Sequence, residues 1–283
     1  MILLKKSTDL RNYFDSQIKK PGAIGFVPTM GALHEGHLSL IKESKKENDL
    51  TVCSIFVNPT QFNEVEDFEK YPVTLEQDIH LLESIQCDIL LLPEIDEVYP
   101  NGIDKNIIYK IGQLESVFEG KYRPGHFQGV CMVVHRLLDM VQPQRLYVGQ
   151  KDFQQCKVIS LLLELINKKN EIELRICPTI REKDGLAMSS RNLRLTVEER
   201  ERAVMIFAAL EFIKKSIRPG NQDALKKIAT KMLNEADFNV DYLEIADEKT
   251  LEQVHTWDGK QTIVTLIAAR LGNIRLIDNM LIN

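Results

Sequence analysis

The chain has 283 residues, long for one hydrophobic core and comfortable for two domains. Its net charge of −5, from 36 basic and 41 acidic residues, argues against a broad nucleic-acid-binding surface, which needs a basic excess or a basic stripe. No run of about 18 apolar residues provides a membrane-spanning helix.

The N-terminus, Met1 to Lys6, runs from a short apolar start into lysines, the reverse of a signal peptide's order. Apolar runs of strand length then recur at Ala23–Val27, Thr51–Val57, Asp88–Leu92, Arg145–Val148 and Ile172–Cys177, too uniformly apolar for half-exposed strands. Between them, segments of helical period fall near Leu38–Lys46, Leu75–Ser84, Val130–Met140 and Phe153–Asn167. Strand–helix alternation implies a parallel sheet with right-handed crossovers, a doubly wound Rossmann-like α/β domain, with its ligand at the carboxyl ends of the strands. His34, Asn58, Gln61, Lys151 and Asp152 all fall just after an expected strand. Beyond residue 180 the pattern becomes helices over Val197–Lys215 and Ala224–Ala236, separated by Pro219-Gly220-Asn221, then strands at Val240–Ala246, Thr262–Ala269 and Ile274–Asp278. The expected division is therefore 1–180, the doubly wound domain, and 181–283, a smaller α+β domain whose movement could close a site at the junction. The five cysteines form no C-x-x-C pair and lie in apolar runs, so they read as reduced core residues of a cytoplasmic protein.

Two motifs carry chemistry. His34-Glu35-Gly36-His37 follows an apolar run and the turn-forming Pro28-Thr29-Met30-Gly31, which places two imidazoles on the first turn of a helix. A strand, a tight turn and a helix N-terminus present free backbone N–H groups and the positive end of the helix dipole to an anion such as a polyphosphate. The alternative is a surface helix with two solvated histidines. Met188-Ser189-Ser190-Arg191-Asn192 follows the turn-rich Lys183-Asp184-Gly185 and offers hydroxyls and a guanidinium to phosphate oxygens. The alternative is that Ser189 or Ser190 caps a short turn. His80, His135 and His255 are read as structural or surface histidines.

The segments Pro28–His37, Phe56–Phe62, Arg123–Phe127, Gly149–Gln155 and Asp184–Asn192, in that order and spacing, resemble the pantothenate synthetase family of the nucleotidylyltransferase superfamily. The resemblance implies an ATP-dependent ligase that condenses pantoate with β-alanine through a pantoyl adenylate, working as a homodimer with Mg²⁺. It implies that His34, His37 and Lys151 act on the phosphates, and that Met30, Gly31, Gly149, Gln150, Asp152, Ile180, Met188, Ser189, Ser190 and Arg191 complete the ATP site. It places Gln61, Gln155, Asn58, Arg123 and His126, with Glu119 nearby, around pantoate and β-alanine. Asp78 matches a family position that faces Mg²⁺, although Val73 and Gln77 depart from the family pattern around it.

Two rivals remain at this level. A nucleotidyltransferase acting on a phosphate ester would use the same histidine turn without the amide pair Gln61 and Gln155. A nucleotide-sensing or RNA-binding module would keep the fold without the chemistry, and the acidic balance disfavours RNA.

Overall fold

The computed structural model describes residues 1–16, 22–63, 68–104 and 106–283. Contacts divide the chain into two units, the first comprising Met1–Gln150 with Gln155–Pro178, and the second Lys151–Gln154 with Thr179–Asn283. The four residues Lys151–Gln154 thus belong with a unit whose remainder begins 25 positions later.

In the first unit the order is β1 (Ile2–Leu4), α1 (Ser7–Ser16), β2 (Ile24–Thr29), α2 (Glu35–Glu47), β3 (Leu50–Ile55), α3 (Leu75–Ser84), β4 (Ile89–Leu91), the short α4 (Ile95–Val98) and α5 (Phe118–Tyr122), α6 (His126–Val141), β5 (Arg145–Gly149), α7 (Phe153–Leu165) and β6 (Glu173–Cys177). Among the described residues, six strands form one sheet in the order β1-β4-β3-β2-β5-β6. Every pairing in it is parallel. From β2 the chain winds outward through β3 and β4, then returns to place β5 beside β2, with Gly25 opposite Arg145 and Phe26 opposite Leu146. The direction of winding reverses between β2 and β5, and the crevice beyond their carboxyl ends is where a doubly wound sheet binds its ligand.

Burial explains why these strands read as continuous apolar runs. Ile24, Phe26 and Val27 of β2, Val52 and Cys53 of β3, and Ile89, Leu90 and Leu91 of β4 are all buried although alternate residues face opposite sides of the sheet. One side of that core joins Val27, Cys53 and Leu90 to Leu40 and Ile41 of α2 and Leu82 of α3. Each such side chain contributes about 1.5–3 kcal/mol by leaving water. β1 and α1 lay outside the sequence expectation for a physical reason. β1 is three residues at an edge, defined by its pairing of Ile2 with Ile89, and α1 buries only Leu10.

The second unit contains α8 (Val197–Ala203), α9 (Met205–Ser216), β7 (Gly220–Asn221), α10 (Asp223–Glu235), β8 (Phe238–Asp247), β9 (Thr256–Trp257), β10 (Ile263–Leu271) and β11 (Ile274–Ile282). β8, β10 and β11 form an antiparallel sheet with β10 central, and β7 pairs with β9. α8 starts at a capping box, in which Thr196 Oγ1 accepts the Glu199 N–H and the Glu199 carboxylate accepts the Thr196 N–H. The helix expected over Val197–Lys215 divides at Val204 into α8 and α9. β11 also runs past the expected Asp278 to Ile282, because its antiparallel pairing with β10 continues to Ile282 opposite Ile263.

Candidate active site

The turn from β2 into α2 is held from three sides within the first unit. Thr29 Oγ1 donates to the Ser54 carbonyl at 2.7 Å and accepts the Gly31 N–H at 3.2 Å. Gly31 and Ala32 have φ of +80° and +49°. The second of these is a left-handed position that costs a non-glycine residue about 1–2 kcal/mol. The Asp78 carboxylate, from the first turn of α3 and 1% exposed, accepts the Ala32 N–H at 2.9 Å and the Leu33 N–H at 2.8 Å. Thr74 Oγ1 donates to the same carboxylate at 3.1 Å.

This loop delivers His34 as the N-cap of α2, with its Nδ1 accepting the Gly36 N–H at 3.1 Å. A neutral imidazole that accepts at Nδ1 carries its proton on Nε2, so Nε2 is the donor atom of the His34 ring. The His37 ring lies beside it, with ring centroids 4.1 Å apart. Both rings are half-buried. Gly149 ends β5, the strand adjacent to β2, and Gln150 follows it, so they share the switch point with Met30 and Gly31. Gln155 stands half-buried in the first turn of α7.

The amide cluster after β3 divides into a presenter and its support. Asn58 is fully buried, donating to the Gly129 carbonyl (3.1 Å), Thr60 Oγ1 (2.9 Å) and Gln61 Oε1 (3.3 Å), and its Oδ1 accepts the Tyr99 hydroxyl at 2.9 Å. With its amide engaged on both sides and no exposure, Asn58 supports Gln61 in this structure. Gln61 Nε2 lies 2.9 Å from Met30 Sδ, next to the histidine turn. Arg123 Nη1 is 3.0 Å from His126 Nε2, and His126 Nδ1 is 2.7 Å from the Gln61 carbonyl. Guanidinium only donates, so Nε2 accepts and the proton resides on Nδ1, which donates to Gln61. Buried His126 thus fixes the backbone of Gln61, and Glu119 lies 3.8 Å from Arg123 at the far end of the chain of contacts.

The Asp78 carboxylate, which the resemblance turns toward Mg²⁺, holds the histidine turn through both of its oxygens, one on Ala32 and one on Leu33.

In the second unit, Lys151 is largely buried, with Nζ 3.7 Å from Asp152 Oδ1. The serine segment is part of a closed hairpin. Arg181 bridges Ala187, and Met188 N–H donates to the Ile180 carbonyl at 3.0 Å. Ser189 caps the turn Ser190–Arg194 by accepting the Arg191 N–H at 3.3 Å, and Asn192 Nδ2 donates to the Ala187 carbonyl at 3.0 Å. The capping alternative for Ser189 is therefore realised, and it orients Ser190 and Arg191. Sequence reasoning passed over Arg181, Asp278 and Asn279. The signal for the last two was a polar pair inside the apolar run Ile274–Ile282.

The other three histidines have structural or surface settings. His135 Nδ1 meets the Tyr109 hydroxyl at 2.9 Å, His255 lies 3.7 Å from Asp223, and His80 is exposed. All five cysteines are buried free thiols. Burial pushes Cys87 and Cys177 up to about 11 and Cys131 up to about 12, and raises Cys53 well above its ordinary value. None of these four supplies a thiolate nucleophile at neutral pH.

A parallel sheet whose switch point carries a paired-histidine helix turn defines a nucleotide-binding α/β enzyme. Residues 2–281 match the family model described as Pantoate-beta-alanine ligase. The pantothenate synthetase of Aquifex aeolicus is 45% identical over 282 residues, covering 98% of each chain, and that of Pseudothermotoga lettingae is 44% identical, covering 100% of this chain and 99% of its own. The crystal structure of pantothenate synthetase from Thermus thermophilus superposes with a TM-score of 0.88 at 37% identity, covering 99% of both chains. Pantoate-beta-alanine ligase from Francisella tularensis, solved in complex with beta-gamma ATP and beta-alanine, gives 0.83 at 37% identity, covering 99% of this chain and 97% of that one. The chain belongs to the pantoate–β-alanine ligase family, ATP-dependent ligases that condense pantoate with β-alanine.

Proposed function

We propose that the reaction proceeds in two halves without a covalent enzyme intermediate. The pantoate carboxylate attacks the α-phosphorus of ATP, the bond to the β-phosphate oxygen breaks, and pyrophosphate leaves pantoyl adenylate. The amine of β-alanine then attacks the acyl carbon, loses a proton, and AMP leaves with the oxygen it shared with the acyl group. A carboxylate with a reference pKa of about 4 is already ionised at neutral pH and needs no general base. It needs charge neutralisation and in-line positioning. The observation that carries this reading is the paired imidazoles at the N-terminus of α2, with a donor at His34 Nε2. The resemblance assigns the nucleotide to His34, His37, Met30, Gly31, Gly149 and Gln150, and also to Lys151, Asp152, Ile180, Met188, Ser189, Ser190 and Arg191. Mg²⁺ enters with ATP, since that ion is commonly held by phosphate oxygens and water, and no ligand from this chain is assigned to it. The free thiols support a cytoplasmic, reducing setting, and a homodimer rests on the family resemblance.

Gln61 and Gln155 are proposed to hold pantoate through its hydroxyl and carboxylate, which separates this enzyme from a nucleotidyltransferase with the same histidine turn. Titrating ATP and pantoate separately by calorimetry into Gln61→Ala and Gln155→Ala tests this. Each variant should lose one or two hydrogen bonds to pantoate, about 0.5–1.5 kcal/mol for a neutral bond and 1.5–3 for one to the carboxylate, with ATP affinity unchanged. Equal losses for both ligands would refute the assignment.

A further inference from the structure

Two residues of β11 tie together the two phosphate-directed elements of the second unit. Asp278 is 3% exposed, and its carboxylate accepts Arg181 Nη1 at 2.6 Å and Nη2 at 3.0 Å, as well as the Asn279 N–H at 2.8 Å. The same guanidinium donates to the Gly185 carbonyl at 3.0 Å and the Asn279 carbonyl at 3.2 Å, and lies 4.8 Å from the centre of the Phe207 ring. Arg181 therefore spans both ends of the 181–187 hairpin and pins it to β11. Gly185 permits this closure. Its φ is +96°, and a Cβ there would come within 2.0 Å of the Phe207 ring. The adjacent Asn279, 2% exposed, donates from Nδ2 to the Lys151 carbonyl at 2.9 Å. Consecutive residues of one buried strand thus hold the base of the serine hairpin and the backbone of Lys151. This explains why Lys151–Gln154 packs with the second unit although the strand before it belongs to the first.

We propose that Asp278 and Asn279 are positioning residues that fix Lys151 and Ser189–Arg191 in one geometry for the phosphates of ATP. The inference rests on the phosphate role proposed above for Lys151. A buried charge pair is a poor source of net stability, because desolvation offsets much of its Coulomb attraction. Its consequence here is geometric. The bidentate fork admits one orientation of the hairpin, and the Asn279 amide sets the position of Lys151 relative to it.

The test is a cycle of Asn279→Ala, Lys151→Ala and the double variant, followed by pantoate-dependent exchange of pyrophosphate into ATP, with pantoate binding measured by calorimetry and folding by thermal unfolding. Asn279→Ala should slow exchange about 10- to 100-fold, the scale of a displacement of about 1 Å at a reacting group. It should leave pantoate affinity unchanged, and it should add little in the Lys151→Ala background, since its effect passes through Lys151. Asp278→Asn should weaken exchange in the same way. If Asp278→Asn does not fold, Asn279→Ala still decides the matter. Full exchange by Asn279→Ala beside a slow Lys151→Ala overturns the positioning role alone. Losses that multiply in the double variant overturn it equally, since they show Asn279 acting independently of Lys151. Full exchange by Lys151→Ala overturns both this inference and the phosphate role on which it rests.

Discussion

Replacing Asp78 by Asn separates a loop-holding carboxylate from a metal ligand. The carboxylate accepts two backbone N–H bonds at 2.9 and 2.8 Å and a hydroxyl at 3.1 Å while 1% exposed. Asparagine keeps one oxygen and turns an NH₂ toward a backbone N–H. One or two hydrogen bonds to a charged group are lost, each contributing about 1.5–3 kcal/mol, so stability should fall by about 2–4 kcal/mol. That is a large part of the roughly 5–15 kcal/mol that holds a typical domain folded. The left-handed Ala32 would lose its restraint, and His34 and His37, two and five residues on, would lose their placement. Adenylate formation should slow by about 10²-fold, the cost of a displacement of about 1 Å. Urea unfolding gives the first quantity, and pyrophosphate release across a Mg²⁺ titration gives the second. The half-saturating Mg²⁺ concentration should match that of the wild type. A variant with wild-type stability and a tenfold higher Mg²⁺ requirement would show that Asp78 serves the metal.

Two further outcomes follow from the same geometry. His37→Ala should lower the single-turnover rate of adenylate formation by about 10²–10³, the cost of one preorganised donor, with the fold intact because the ring is half-buried at a helix end; a full rate would remove the histidine turn from the mechanism. For the thiols, the folded state holds protons that the unfolded chain releases near pH 8.5, because burial pushes Cys87 and Cys177 up to about 11 and Cys131 up to about 12. Their contribution to stability is therefore complete below that pH and is lost as pH rises toward 11–12. The urea midpoint should be level from pH 7 to 8 and fall by pH 10.5. A midpoint that stays level to pH 10.5 would contradict the burial of these groups.

Much of the architecture was legible because it is periodic. Ala23–Val27 and Asp88–Leu92 read as buried parallel strands since both faces of the sheet are covered, and the helical spacing of α2 and α3 reflects one apolar stripe each. β1 was illegible because three residues acquire strand character only by pairing with Ile89–Leu91. Within the site, the histidine turn was readable because its chemistry is local. The partners that engage Asn58 and Asp78, namely Gly129, Tyr99, Ala32 and Leu33, were not legible because they are set by the fold and not by neighbouring sequence. Arg181, Asp278 and Asn279 escaped for a related reason. Their contacts span up to 128 positions, and only the breach of an apolar strand by two polar residues announced them.

The central claim is that adenylation of pantoate precedes and does not require the amine. Exchange of labelled pyrophosphate into ATP, measured with pantoate present and β-alanine absent, tests it directly. The account predicts exchange that depends on pantoate and proceeds without β-alanine. Exchange that appears only when β-alanine is added would contradict it.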